Sequence, residues 1–126
     1  MKGKFFILTA LCFLHMIICS AQHADDILGI WLTSKQDSKI KILKSEDGTF
    51  IGKIIWAKSP YESFAGIEII KGMTYNAQEK TYVCPWVYSP RLKVVARAVV
   101  SLKENTLNLK AKKGIITVHT EFTRTK

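Results

Sequence analysis

Only a few side chains in this sequence have the chemistry that catalysis needs. His119 and Glu121 stand two residues apart, so on a strand they would share one face, where a histidine can act as a general base. Cys84 is a candidate nucleophile. Glu68 with Glu121 is a candidate pair for glycoside hydrolysis, which needs two carboxyl groups about 5 to 10 Å apart.

None of these candidates forms a recognisable catalytic arrangement. The sequence has no Gly-x-Ser-x-Gly motif and no phosphate-binding glycine loop. His119, Glu121 and Cys84 do not make a recognisable metal-ligand set. We interpret His119 and Glu121 as a solvent-facing pair and Cys84 as a small buried apolar residue. We therefore expect no catalytic, metal-binding or cofactor-binding residues, no cofactor and no enzyme activity.

A tryptophan and an arginine far apart in the sequence could form a cation–π contact. Gly29 and Trp31 bracket one residue in DDILGIW (25–31), and Arg124 follows about ninety residues later. A guanidinium stacked on an indole contributes roughly 0.5–2 kcal/mol. On these residues alone, a pair that closes the fold and a core tryptophan with a solvated arginine are equally open.

The elements that would position these residues are short strands. Period-two alternation dominates, and no long stretch keeps an apolar period of 3.6 residues. Pro85 predicts an edge, a bulge or a break in its strand, and KSPYESFA (58–65) is the one place for a short helix. We predict strands at 27–33, 38–44, 49–57, 66–73, 81–88, 91–102, 105–112 and 114–124.

Strands of this number and length can pair as a sandwich or close into a barrel. Closure removes exposed edges and leaves room for side chains or one small ligand. The prediction is therefore an all-β fold: a single antiparallel up-and-down barrel of about eight strands.

The motifs of the chain resemble those of a known family. GIW (29–31) is similar to the signature of lipocalin-like (calycin) barrels, whose tryptophan closes one end beneath an arginine. The order of motifs also resembles the bacterial domain-of-unknown-function family 2147, small exported proteins placed with these barrels. The resemblance covers nearly all of 25–124 and implies a lipocalin-like barrel closed by Trp31 and Arg124, with Gly29. It implies no reaction. The motifs are GIW (29–31), GKIIW (52–56), GIEIIKG (66–72), VYSP (87–90) and TEFTR (120–124).

The chain departs from the family pattern at four places. The loop at 58–65 is shorter than usual, Ser89 replaces an aspartate, Phe122 replaces a tryptophan, and Cys84-Pro85 replaces a glycine pair. A family function carried by the longer loop or by the aspartate would be missing from this chain.

The first residues have the pattern of a secretory signal. Lys2 and Lys4 precede the apolar run 5–18, and small residues allow a cut after Ala21. The alternatives are a retained membrane anchor and a lipoprotein anchored at Cys19. We predict a signal peptide at 1–21 and one lipocalin-like barrel domain at 22–126, exported to the periplasm or beyond, with no transmembrane segment after cleavage.

Cleavage would also change the cysteine count and the charge. Cys84 would be the only cysteine, so no internal disulfide could form. The net charge would fall from +9 to +7 with the loss of Lys2 and Lys4. A basic exported protein suggests anionic partners. Nucleic acid is not expected, because of the exported location and because a base-stacking OB-fold has five strands.

Two functions follow from this fold and charge. One is non-catalytic binding of a small apolar or amphipathic ligand in the barrel mouth, opposite Trp31. The other is an envelope-associated protein whose basic surface binds anionic lipid, polysaccharide or a protein partner. A core filled by side chains, without a cavity, stays open. The predicted interior or mouth residues are Phe50, Ile54, Trp56, Met73, Tyr75, Trp86 and Tyr88.

Overall fold

Eight antiparallel strands close into an up-and-down barrel in the computed structural model, which describes residues 24–125. Each strand pairs with the next, and β8 returns to β1 with Arg124 opposite Trp31. The predicted all-β barrel is thereby confirmed. The predicted signal peptide at 1–21 lies outside the described residues. The strands are β1 (Gly29–Thr33), β2 (Ser38–Lys44), β3 (Phe50–Ala57), β4 (Glu68–Asn76), β5 (Thr81–Ser89), β6 (Val94–Lys103), β7 (Thr106–Lys113) and β8 (Ile116–Thr125), with one 3-10 turn, Glu62–Phe64, between β3 and β4.

Alternating side chains place the core inside the barrel. On β7, Leu107 and Leu109 are buried, whereas Asn108 and Lys110 are exposed. Each large apolar side chain that is fully buried contributes roughly 1.5–3 kcal/mol. The largest fully buried side chains are Trp31, Tyr82, Ile27, Ile40, Ile42, Ile70 and Met73.

Two irregularities in the pairing decide which aromatic residues face outward. Between β2 and β3, Ile40 pairs with Ile54 but Lys39 pairs with Trp56, so Ile55 is an extra residue in β3. Such a bulge shifts the alternation by one residue. Trp56 consequently lies on the outer surface and is 42% exposed.

The second irregularity lies in β5, where the pairing with β6 shifts between Cys84 and Val87. Pro85, which cannot donate a ladder hydrogen bond, is inside this shift, as its position in the sequence predicts. Cys84 and Val87 both pack toward the core. Trp86 is turned outward, where Lys71 Nζ lies 4.6 Å from its ring centroid.

The strand order divides the molecule into two ends. We call the closed end the one that contains residues 24–28 and the turns β2–β3, β4–β5 and β6–β7. The open end contains the turns β1–β2, β5–β6 and β7–β8 and the β3–β4 loop with its 3-10 turn.

Candidate ligand-binding cavity at the open end

Trp31 and Arg124 fill the closed end. Trp31 is fully buried, and the Arg124 guanidinium carbon lies 4.3 Å from its ring centroid. The indole Nε1 donates a hydrogen bond to the Ile27 carbonyl at 2.9 Å. Arg124 Nη1 donates to the Leu28 carbonyl at 2.8 Å, and Nη2 donates to the Asp26 carbonyl. We call Trp31, Arg124 and residues 24–28 the plug.

The backbone beside the plug explains why GIW begins with a glycine, Gly29. Its φ of 137° lies in a region that side chains rarely adopt. A Cβ at this position would lie 2.9 Å from Arg124 Nη1. The glycine therefore gives the guanidinium the space it needs to reach the Leu28 carbonyl.

Tyr82 ties the plug to the barrel wall. Its hydroxyl donates a hydrogen bond to the Ala24 carbonyl at 2.7 Å, and its ring meets the Phe50 ring edge-on. Burial, with a smaller contribution from neighbouring Tyr75, raises the pKa of Tyr82 well above its ordinary value. A cleft of about 370 Å³ beside the plug is lined partly by Tyr75, Lys80 and Glu104.

The open end contains a second cavity, of about 420 Å³, that enters the barrel between the strands. Its apolar walls come from most of the strands. Val118 on β8 points into this cavity and is half exposed. The apolar walls include Ile40, Ile54, Ile69, Val87, Leu109 and Phe122.

A polar and aromatic cluster stands at the mouth of this cavity. Arg91 stacks on Tyr61, with the guanidinium carbon 4.2 Å from the ring centroid, and Tyr61 stacks on Phe64 at 5.2 Å. Arg91 Nη2 lies 3.8 Å from Asp37 Oδ2. The Thr33 hydroxyl donates a hydrogen bond of 2.6 Å to Asp37 Oδ1 and so fixes that carboxylate.

Local backbone bonds hold the cluster in place. The Lys58 amide donates to the Asp37 carbonyl at 2.7 Å and ties the β3–β4 loop to the β1–β2 turn. The Tyr61 amide donates to the Lys58 carbonyl, and the Phe64 amide donates to the Tyr61 carbonyl. One turn of 3-10 structure therefore presents both rings to the mouth.

The electrostatics of the mouth leave Arg91 available to a ligand. Its side chain is half exposed, and a single ion pair of 3.8 Å between partly exposed groups contributes little. Lys35 also borders the mouth. The arrangement offers an apolar chamber with cationic groups at its entrance, which suits an amphipathic molecule with an anionic head.

Of the candidates for chemistry, His119 borders this cavity, whereas Glu121 and Cys84 are not part of its lining. His119 and Glu121 are exposed on β8, opposite Lys110 and Asn108 of β7. Burial raises the pKa of the Cys84 thiol to about 12, so the nucleophilic thiolate is scarce near neutral pH. In residues 24–125, no group of three or more His, Cys, Asp or Glu side chains could hold a metal ion.

The structure separates the residues that the sequence predicted as ligand-lining. Ile54 lines the open-end cavity and Tyr88 borders it. Phe50 and Met73 are buried in the core, away from the cavity, and Tyr75 lines the closed-end cleft instead.

The prediction of a ligand-lining position is wrong for two tryptophans, because the bulges of β3 and β5 reverse the alternation of inward and outward side chains. Trp56 lies outside beside Lys39, whose Nζ is 5.7 Å from the ring centroid. Trp86 lies outside, stacked on Tyr88 at 5.9 Å. Neither tryptophan lines the interior.

Sequence reasoning missed the cluster at the mouth. Asp37, Tyr61 and Arg91 lie in three different connections, and only barrel closure brings them together. One signal was available: Tyr61 and Phe64 are three residues apart in the single loop expected to hold a short helix, and this spacing stacks side chains on a 3-10 turn.

Among residues 24–125, no helix is long and apolar enough to cross a membrane. No family model matches the chain, and no curated protein or solved structure matches it. Function is therefore inferred from the geometry of the open-end cavity.

Proposed function

We propose that the protein binds a small amphipathic molecule, with an apolar body and an anionic head, in the open-end cavity without transforming it. The observation that carries this proposal is a cavity of about 420 Å³ with apolar walls. At its mouth lies the half-exposed guanidinium of Arg91, 3.8 Å from the Asp37 carboxylate. Small-molecule sites typically have volumes of roughly 300–1,000 Å³ and few polar groups.

The apolar body of the ligand would occupy the space between Ile54, Leu109 and Phe122. These side chains are already largely buried, so a ligand would remove mainly its own apolar surface from water. The walls need not rearrange, which keeps the ordering cost of binding low.

The anionic head would lie at Arg91. Because Tyr61 stacks on one face of the guanidinium, its N–H edge stays directed for a planar bidentate partner such as a carboxylate. The Asp37 carboxylate at 3.8 Å orients this edge without saturating it.

A displacement titration with a fluorescent fatty-acid analogue tests the proposal. We expect unlabelled fatty acid to displace the probe. Val118→Trp, which fills the cavity from a half-exposed position, should weaken binding roughly tenfold, because the indole occupies space that the ligand needs. Thr117→Trp is the matched control, because Thr117 is exposed on the opposite face of the same strand. Equal affinities for both variants would place the probe elsewhere.

A second titration isolates the head group. Arg91→Gln should weaken binding of a fatty acid by roughly fivefold to tenfold. It should leave the affinity for the fatty alcohol of the same length nearly unchanged. If both ligands lost affinity equally, Arg91 would act only by shaping the mouth.

Native mass spectrometry addresses the natural ligand directly. Protein purified gently should carry a discrete added mass that solvent extraction removes. A bare mass in both samples would contradict a tightly held cargo.

The proposal also includes export and membership of family 2147. The apolar run 5–18 and the order of GIW, GKIIW, GIEIIKG, VYSP and TEFTR support these assignments. Cell fractionation, with N-terminal sequencing of the recovered protein, tests for export and for a cut after Ala21.

A further inference from the structure

Two turns at the open end expose large apolar side chains. Leu92 in the β5–β6 turn is 69% exposed, and Ile115 and Ile116 in the β7–β8 turn are 100% and 65% exposed. Single exposed apolar residues are ordinary, but several together mark an interaction surface.

The strand register makes the two turns neighbours. Arg97 of β6 pairs with Lys112 of β7. Beyond this pair, β6 starts at the exposed Val94 and β7 runs into the β7–β8 turn, so Val94 and Ile115 lie at the same end of neighbouring strands. We call Leu92, Val94, Ile115 and Ile116 the apolar tips.

The first turn is held by hydrogen bonds to Ser89. The Lys93 amide donates to the Ser89 carbonyl at 2.7 Å, and the Leu92 amide donates to the Ser89 hydroxyl at 3.3 Å. Leu92 is therefore presented to solvent by an ordered turn.

The segments around the tips are strongly basic. Ranges 89–97 and 110–118 together contain six cationic residues and no aspartate or glutamate. A shallow groove of about 680 Å³ on the adjoining outer wall combines Val83, Pro85 and Val99 with Arg97, Lys110 and Lys112. The surface thus alternates apolar and cationic groups.

The opposite end has the opposite charge. Of the ten acidic residues in the chain, six lie at the closed end: Asp25, Asp26, Glu46, Asp47, Glu79 and Glu104. The long axis of the barrel therefore has a positive open end and a more negative closed end.

We propose that the barrel docks with its open end on an anionic lipid bilayer. Leu92 and Ile115 would enter the boundary between head groups and acyl chains, while Lys93, Lys112 and Lys113 meet the head groups. Exposed apolar side chains beside lysines are the composition that binds such interfaces. Charge alone would suit any polyanion, but the fully exposed Ile115 favours a partner that also offers an apolar layer. This docking does not depend on whether the cavity holds a ligand.

Co-sedimentation with vesicles tests the docking. The full-length protein should bind vesicles that mix phosphatidylcholine with phosphatidylglycerol, and bind phosphatidylcholine alone far more weakly. Lys112→Gln with Lys113→Gln should reduce binding roughly tenfold or more. Lys80→Gln with Lys103→Gln is the matched control, because it removes the same charge from the closed end. Equal losses in the two double variants would overturn the oriented docking.

A second pair of variants tests insertion of the tips. Leu92→Ser with Ile115→Ser keeps every charge, and we expect it to reduce vesicle binding at least severalfold while circular dichroism stays unchanged. If binding is unaffected by the serines but disappears with salt, the surface recognises charge alone, as an anionic polysaccharide would, and the proposal fails. If the serines instead convert a dimer to a monomer in sedimentation, the tips are an interface between copies and the proposal also fails.

Discussion

Both ends of the barrel carry an arginine stacked on an aromatic ring, at nearly the same distance. Arg124 lies 4.3 Å from the Trp31 centroid, and Arg91 lies 4.2 Å from the Tyr61 centroid. Their other partners differ. Arg124 donates to two backbone carbonyls above a fully buried ring, whereas Arg91 faces one carboxylate at 3.8 Å in a half-exposed site.

The other partners of each guanidinium decide whether the stacked arginine stabilises the fold or is available to bind a ligand. Carbonyls of the Leu28 and Asp26 peptides use the donors of Arg124 and leave little for a ligand. Arg91 lies 3.8 Å from Asp37 and is half exposed, so water screens this ion pair and another anion can take the place of Asp37. The same stacking should therefore stabilise the fold at the closed end and select ligands at the open end.

Removing the aromatic ring at each end should give the largest difference in the free energy of unfolding. Trp31→Ala should lower the free energy of unfolding by about 3–5 kcal/mol, because it leaves a cavity in the plug. Tyr61→Ala should cost about 1 kcal/mol or less, since the ring borders solvent. Urea denaturation of both variants makes the comparison, and similar losses would show that the two ends are equally structural.

Removing the guanidinium should give the next largest effect. Arg124→Ala should cost about 1–3 kcal/mol, because two carbonyls lose charged donors and the buried Trp31 ring loses its cationic contact. Arg91→Ala should change stability by about 0.5 kcal/mol or less.

A double-mutant cycle sharpens that result. Combining Arg124→Ala with Trp31→Leu should cost less than the sum of the single losses, since each change removes the same contact. Additive losses would contradict a working cation–π contact at the plug.

Glycine substitutions extend the comparison to the backbone. Gly29→Ala should cost about 2–3 kcal/mol, because its φ of 137° is strained for alanine and the new Cβ would crowd Arg124. Gly114→Ala has a positive φ of 61° but no neighbour within 4 Å, so it should cost about 1 kcal/mol. Thermal unfolding of the two variants should keep this order, and the reverse order would show that Gly29 does not make the space that Arg124 needs.

The smallest effect near neutral pH concerns Cys84. Its pKa is raised to about 12 by burial, so the folded protein holds this proton after the unfolded chain, with a pKa near 9.0, has released it. The contribution of Cys84 to stability should be constant below about pH 8.5 and fall above it, as the unfolded state loses the proton first, and the raised pKa of Tyr82 adds to the fall at still higher pH.

The reaction of Cys84 with a thiol reagent tests whether this side chain is buried in the folded protein. A thiol reagent at pH 7 should leave Cys84 unmodified in the folded protein and modify it in urea. Rapid modification without denaturant would mean that this part of the barrel opens readily.

The fold was largely predictable from the sequence, because period-two alternation is a local property. The strands and the disturbance at Pro85 both follow from neighbouring residues. The residues that line the site were not predictable in the same way, because one bulge reverses which face of the sheet every later residue in its strand occupies. Nothing near Trp56 in the sequence marks the extra residue Ile55, so Trp56 was placed inside. Arg91, Asp37 and Tyr61 meet only through closure of the whole barrel, which no local pattern encodes.

The plug also dictates an order of events while the chain folds. Arg124 and the Leu28 carbonyl are 96 residues apart in sequence. A growing chain can form the hairpins β2–β3 through β6–β7 before Arg124 exists, but it cannot seal the barrel until β8 is complete. Contacts between such distant residues also form slowly. An intermediate with seven strands would expose the edges of β1 and β7, and a chaperone that protects them would act in this interval.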